Sequence, residues 1–217
     1  MIRVETSARL SFSPKSGYLM PSQPVEANPA RGRSLLRYPS AGTGMGNIPL
    51  RDGGTADIRT YPFAEGHEDV IALLETPDRQ VGWSAAAREA EDDIVLLLKD
   101  RRVLPQTMLW MSNGGRYYFP WNSRHSHVLG IEDGCTFVGE GHRASASINA
   151  LTKRGYPTAV ESVGVTEIRY AIGALQKPKG WTEVADIRQT GDLLAISDVG
   201  GGTLDIPFAG GWLLGAH

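Results

Sequence analysis

From residue 69 onward the chain repeats one device, a short apolar run followed by turn residues. The runs are DVIALLE, DIVLLLK, TMLWM, HVLGIED, EIRYAIGAL, DLLAIS and TLDIPF, and Gly, Pro, Asp or Asn stands near most of their ends. Each has the length of a strand, and many short strands separated by turns predict an antiparallel sandwich or barrel. One segment dissents: SAAAREAEDD at 84–93 combines alanines and carboxylates that favour helix. An isolated helix of that length is marginal, so it reads as the end of a strand, a polar turn and the start of DIVLLLK.

The first 57 residues follow another pattern. PKSGYLMPSQPVEANPARG and PSAGTGMGNIPLRDGG are rich in Pro, Gly and Ser with little periodicity, which predicts long loops joining one or two short strands. GTGMG at 42–46 reads as a turn: no apolar strand leads into it, and Pro49 follows too soon for a helix N-terminus that would hold a phosphate. No repeat and no linker divides the chain, so residues 1–217 are expected to form one β-sandwich domain with a loop-rich start.

Composition narrows the function. With 22 Lys plus Arg against 24 Asp plus Glu and no long basic block, the electrostatic attraction that nucleic-acid binding needs is missing. The single cysteine, Cys135, leaves neither an intrachain disulfide framework nor a Cys-rich zinc site. No run of about 18 apolar residues is present, and MIRVETSARLSF lacks an apolar signal core. The expectation is a cytoplasmic protein with no membrane role, whose partner is a small neutral molecule.

That partner is best sought in WMSNGGRYYFPWNSRHSHVLGIED, residues 110–133. Trp110 and Trp121 offer flat apolar surfaces, and Asn113, Arg116, Asn122 and Arg124 offer hydrogen bonds around them. A sugar binds where one ring face stacks on an aromatic and its rim meets such groups. If RHSHVLGIE is extended throughout, Arg124, Ser126, Val128, Gly130 and Glu132 share one face, and His125, His127, Leu129 and Ile131 the other. A bulge would reverse the placement of the histidines. Gly130 is expected to leave room for a ligand ring beside Glu132. Asn113 with Gly114 and Gly115, and the glycines at 200–202, read as turns.

The series LPQTMLWMSNGGRYYFPWNSRHSHVLGIEDG resembles the late part of galactose mutarotase-like proteins, the aldose 1-epimerase superfamily. There a tryptophan-bearing strand and a polar loop lead to a strand that ends apolar-Gly-apolar-Glu. The resemblance is best over about residues 70–140. It implies a large antiparallel β-sandwich, here shortened at the N-terminus, and an anomer-interconverting enzyme without metal or organic cofactor. It also implies that Glu132 is the catalytic base. The family's acid histidine has no counterpart in GYLMPSQPVEANPARG, which leaves His125, His127 and His67 as candidates, His67 being read as a loop residue.

Two other readings compete. The spacing His125-x-His127-x4-Glu132-x6-Gly139 resembles the first motif of cupins, in which two histidines and a glutamate hold a metal. The glycine that motif expects, with five residues between it and the first histidine, is Phe119 and the second motif is absent, so no metal is expected. The third reading keeps the sugar site without catalysis, as a carbohydrate-binding or regulatory protein.

Overall fold

The computed structural model describes residues 1–161 and 163–214. Among the described residues sixteen strands form antiparallel sheets, with one short helix, α1 (Gly141–Ser145), and two 3-10 turns. In chain order the strands are β1 (Ile2–Arg3), β2 (Ala8–Phe12), β3 (Lys15–Leu19), β4 (Ala41–Gly42), β5 (Ile48–Pro49), β6 (Thr55–Ala56), β7 (Thr60–Tyr61) and β8 (His67–Glu75). There follow β9 (Val81–Arg88), β10 (Asp93–Asp100), β11 (Gln106–Asn113), β12 (Val128–Gly134), β13 (Tyr170–Gln176), β14 (Val184–Thr190), β15 (Leu193–Asp198) and β16 (Thr203–Pro207).

A six-stranded sheet runs β1-β12-β11-β8-β3-β4 and a five-stranded sheet runs β13-β10-β9-β2-β7. They face each other across a core that includes Ile71 and Leu73 of β8, Leu109 and Met111 of β11, Leu129 of β12, and Leu10 and Ala86 from the other sheet. The far side of the five-stranded sheet packs Trp83, Ile94, Leu96 and Leu98 against Val184, Ile187, Leu194 and Ile196 of a three-stranded sheet, β14-β15-β16.

This layering explains the two kinds of apolar pattern. β8 is buried at every position because its second face is also covered, with Val70 and Ala72 packed against Val138, Val25, Met108 and Trp110. A strand covered on both faces reads as a continuous apolar run. β15 and β16 are covered on one face only and their burial alternates residue by residue, whereas in β14 a bulge between Val184 and Asp186 breaks the alternation.

The SAAAREAEDD segment folds as a hairpin. β9 ends at Arg88 and β10 starts at Asp93, paired to each other. Asp92 in the turn takes a left-handed φ of 50°, and Arg88 Nε donates to Asp93 Oδ1 at 2.8 Å. The first 57 residues carry more strand than their composition predicts, from β1 to β6, although only β2 and β3 exceed two residues. β2 and β3 are held by long-range partners, β9 and β8, which local periodicity does not reveal. GTGMG leads from β4 through bends to β5 with no helix after it.

Candidate functional site

The outer face of the six-stranded sheet gathers the central stretch. The register pairs Trp110 with both Val70 and Gly130, Ser112 with both Glu68 and Val128, and Met108 with Glu132. Glu68, Trp110, Ser112, Gly130 and Glu132 therefore project from one face, since cross-strand neighbours point the same way. Glu132 is exposed at the end of this row. A Cβ built on Gly130 would fall 2.8 Å from Glu132 Oε1 and 3.2 Å from Trp110 Cβ. The space over Gly130 is thus filled by the Glu132 carboxylate and the Trp110 side chain, and is not the ligand opening that the sequence suggested.

His125 lies on this same face. β12 begins only at Val128, and the chain ahead of it turns through left-handed conformations at Asn122 (φ 44°), Ser123 (φ 57°) and His127 (φ 58°). The alternation expected for an extended RHSHVLGIE therefore does not hold before Val128. The His125 ring stacks on Trp110 with centroids 5.6 Å apart and meets the edge of Trp121 at 5.2 Å. Its Nδ1 is 2.6 Å from Ser112 Oγ, which donates to Glu68 Oε2 at 2.8 Å. The other oxygen of Glu68 accepts from Trp110 Nε1 at 2.5 Å. With the single Ser112 proton given to an ionised Glu68, Nδ1–H must donate to Ser112, and Nε2 is left for other chemistry.

Arg116 is the electrostatic centre of the cluster. Its guanidinium lies 5.2 Å from the Trp110 ring and 4.8 Å from the Trp121 ring, and its Nε is 2.9 Å from Glu26 and 3.6 Å from Glu68. Such stacking and pairing hold both indoles in place. Tyr118 donates to Glu26 at 3.2 Å, and Arg31 sits over the Tyr118 ring at 4.2 Å.

Desolvation tunes the titrating groups. Burial raises the Glu68 carboxyl, opposed by its bonds from Ser112 and Trp110. Partial burial also holds Glu132 above the ordinary 4.5, against the pull of the N-terminal ammonium. The carboxylate tucked over Gly130 is the less hydrated part of an otherwise exposed residue. His125 is held below its ordinary 6.5 by desolvation and by the charge of Arg116.

The remaining predicted residues take other places. Asn113 is buried at the end of β11, where Nδ2 donates to Ala64 O at 2.8 Å and Oδ1 accepts from His127 N at 3.0 Å. It fastens two loops and does not face the cluster with its amide. Asn122 and Arg124 are exposed on the turn after Trp121, and their backbone N–H groups donate to Tyr118 O and Trp121 O. His127 holds the chain through its backbone, its carbonyl accepting from Val4 N. Gly114 supplies a left-handed φ of 76°, whereas Gly115 is required by close approach, a Cβ there falling 2.2 Å from the His67 carbonyl carbon.

His67 is not a loop residue. It opens β8 and is fully buried, with Nδ1 2.8 Å from Asp69 Oδ2. Its register partner is Asn113 at the end of β11. Its Nε2 has no hydrogen-bond partner among the described residues, and the ring packs on Phe63 with centroids 4.3 Å apart. Because β8 alternates, His67 and Asp69 point to the face opposite Glu68 and thus away from Glu132.

Glu68, Ser112 and Glu26 are the members that the sequence did not mark. Glu68 carried a faint signal as a carboxylate opening an otherwise apolar strand. Glu26, in a loop without periodicity, carried none. Among the described residues no group of three His, Cys, Asp or Glu side chains is arranged to hold a metal ion, and the His125, His127 and Glu132 spacing does not assemble a cupin-like triad. No described helix is long and apolar enough to cross a membrane. No family model, curated protein or solved structure matches the chain.

Proposed function

We propose that this chain is an aldose 1-epimerase-like protein of the galactose mutarotase-like type, binding a sugar on the outer face of the six-stranded sheet and interconverting its anomers. The observation that carries the reading is the position of His125, stacked on the same indole that flanks the Glu132 carboxylate. Ring opening requires a base that reaches the anomeric hydroxyl and an acid that reaches the ring oxygen from the other side of a sugar seated between them. Glu132 takes the proton of the anomeric hydroxyl while His125 gives one to the ring oxygen, so that the bond between the ring oxygen and C1 breaks and an open-chain aldehyde forms. Rotation about C1–C2 and closure on the other carbonyl face return both protons. Two proton transfers suffice, without metal or organic cofactor. Trp121, with its ring partly exposed, would serve as stacking surface, and Arg124 and Asn122 stand at the rim.

The test is polarimetry on freshly dissolved α-glucose and α-galactose. Glu132→Gln and His125→Ala should each lose nearly all acceleration while calorimetric sugar binding persists, and unchanged acceleration in either variant sinks that assignment. One observation favours the second reading, a carbohydrate-binding or regulatory protein: the face is open, with Asn122, Ser123, Arg124 and Glu132 all exposed. In that case the wild type binds sugar without accelerating mutarotation, and Trp121→Ala still weakens binding by about 0.5–1.5 kcal/mol through lost stacking.

A further inference from the structure

Strand β13 is the outermost strand of the five-stranded sheet, bonded to β10 on one side. The other sheet edges are protected in recognisable ways. β1, β4 and β7 are two residues long. β14 carries Asp186, Arg188 and a bulge, and β16 carries Asp205 and ends in Pro207. Short, charged, bulged or proline-bearing edges resist pairing with another chain. β13, with the sequence YAIGALQ over seven residues, has no charge and no proline.

Apolar side chains are exposed on this strand and in the segment that leads into it. Val160, Val163, Val165, Ile168 and Ile172 are all exposed, Val165 at 98% and Ile172 at 72%. Ile172, itself exposed, lines a cavity of about 510 Å³ together with Ile2, Val95, Leu97, Ile131 and Ile168, residues that come from both large sheets and the segment before β13. Exposed aliphatic side chains such as Ile168 and Ile172 beside unused strand hydrogen bonds favour an interface.

We propose that this edge pairs with β13 of a second copy of the chain, antiparallel about a two-fold axis at Ile172. A two-fold axis normal to the sheet keeps each residue on its own face, so partners across it differ by an even number of positions. Centring on Ile172 places Glu167 opposite Lys177 of the other copy, twice by symmetry. Glu167 already bonds Arg169, and Lys177 already pairs with Asp92 at 3.2 Å. The dimer would thus align carboxylate, ammonium, carboxylate and guanidinium in alternating order at both ends of the strand pair. Centring one residue later, on Gly173, would set Arg169 against Lys177 and repel. The chosen register also brings the two Ile172 side chains together and covers the cavity mouth. A sheet edge asks for a strand, and the charge order selects this one.

The experiment is sedimentation velocity on the whole chain over rising concentration. The wild type should form a dimer, and Ile172→Lys, at an exposed position that tolerates folding, should be monomeric with unchanged circular dichroism. Glu167→Lys should weaken the dimer by about tenfold, and adding Lys177→Glu should restore it. A wild type that stays monomeric while its cavity takes up a fluorescent hydrophobic probe would overturn the proposal. So would a dimer indifferent to both Ile172→Lys and Glu167→Lys.

Discussion

At the level of single side chains, desolvation acts on Glu132 and His125 in opposite directions, raising the carboxyl above 4.5 and lowering the imidazole below 6.5. If Glu132 works as base it must be ionised, so kcat/KM rises with pH through its elevated pKa. If His125 works as acid it must be protonated, so kcat/KM falls as pH passes its depressed one. The expected profile is a narrow bell with its maximum between those two ordinary values, measured by polarimetry across pH. A flat profile through that window would remove both residues from the reaction. Gly130 offers a second handle. Because an added Cβ would meet Glu132 Oε1 at 2.8 Å and Trp110 Cβ at 3.2 Å, Gly130→Ala should push the carboxylate aside. We expect a lower rate with a stability loss of about 1–3 kcal/mol, as overpacking usually costs, followed by polarimetry and urea denaturation together.

At the level of elements, β8 lies inside the six-stranded sheet, paired with β11 and β3, and Asp69 anchors a loop to it. Asp69 accepts from the backbone of Leu35 at 3.0 Å and Leu36 at 3.1 Å, from the Tyr38 hydroxyl at 3.0 Å, and meets His67 Nδ1 at 2.8 Å. These bonds tie the periodicity-free segment around residues 35–38 to the centre of the sheet, which is how a Pro- and Gly-rich start becomes ordered structure. Asp69→Ala leaves those donors buried without acceptors and should cost about 3–5 kcal/mol in chemical denaturation. Asp69→Asn keeps one acceptor oxygen and should cost less. Equal losses in the two variants would show that the donors find other partners. The anchor works on the face opposite Glu68, so this prediction is independent of the proposed chemistry.

At the level of the whole molecule, the two large sheets are joined by a buried charged group as well as by apolar packing. Lys99 of β10 reaches across to Asp133 of β12 at 2.6 Å and Glu75 of β8 at 3.0 Å. Lys15 of β3 also pairs with Glu75, and Tyr170 of β13 donates to Asp133 at 2.9 Å. Two cations thus offset two carboxylates, which is the condition for keeping charges inside a core. Burial, aided by Lys99 and opposed by Glu75, lowers Lys15 from the ordinary 10.5 to about 8. Between about 8 and 10.5 the unfolded chain binds more protons at this site than the folded one, so its contribution to stability rises with pH across that window. Denaturation midpoints on either side of the window should show a rise in the wild type that is smaller in Lys15→Met. The same slope in both proteins would refute the assignment.

Local alternation and turn chemistry were enough to read β8, β10, β11, β12, β13, β15 and β16, the polar turn that ends β9 and the all-β class, because side-chain period and turn propensity depend on near neighbours. They were also enough to put Gly130 and Glu132 on one face, since alternation along a single strand fixes that; Trp110 joins them only through the register of β11 with β12. Tertiary structure decided the rest. Only the pairing of β8 with β11 brings Glu68 under Trp110 and Ser112. Only the left-handed turns before Val128 carry His125 to the face of Glu132, and only sheet stacking sets Lys99 against Asp133. Such partnerships depend on which distant strands become neighbours and on where an extended run stops, and the number of residues between two side chains records neither.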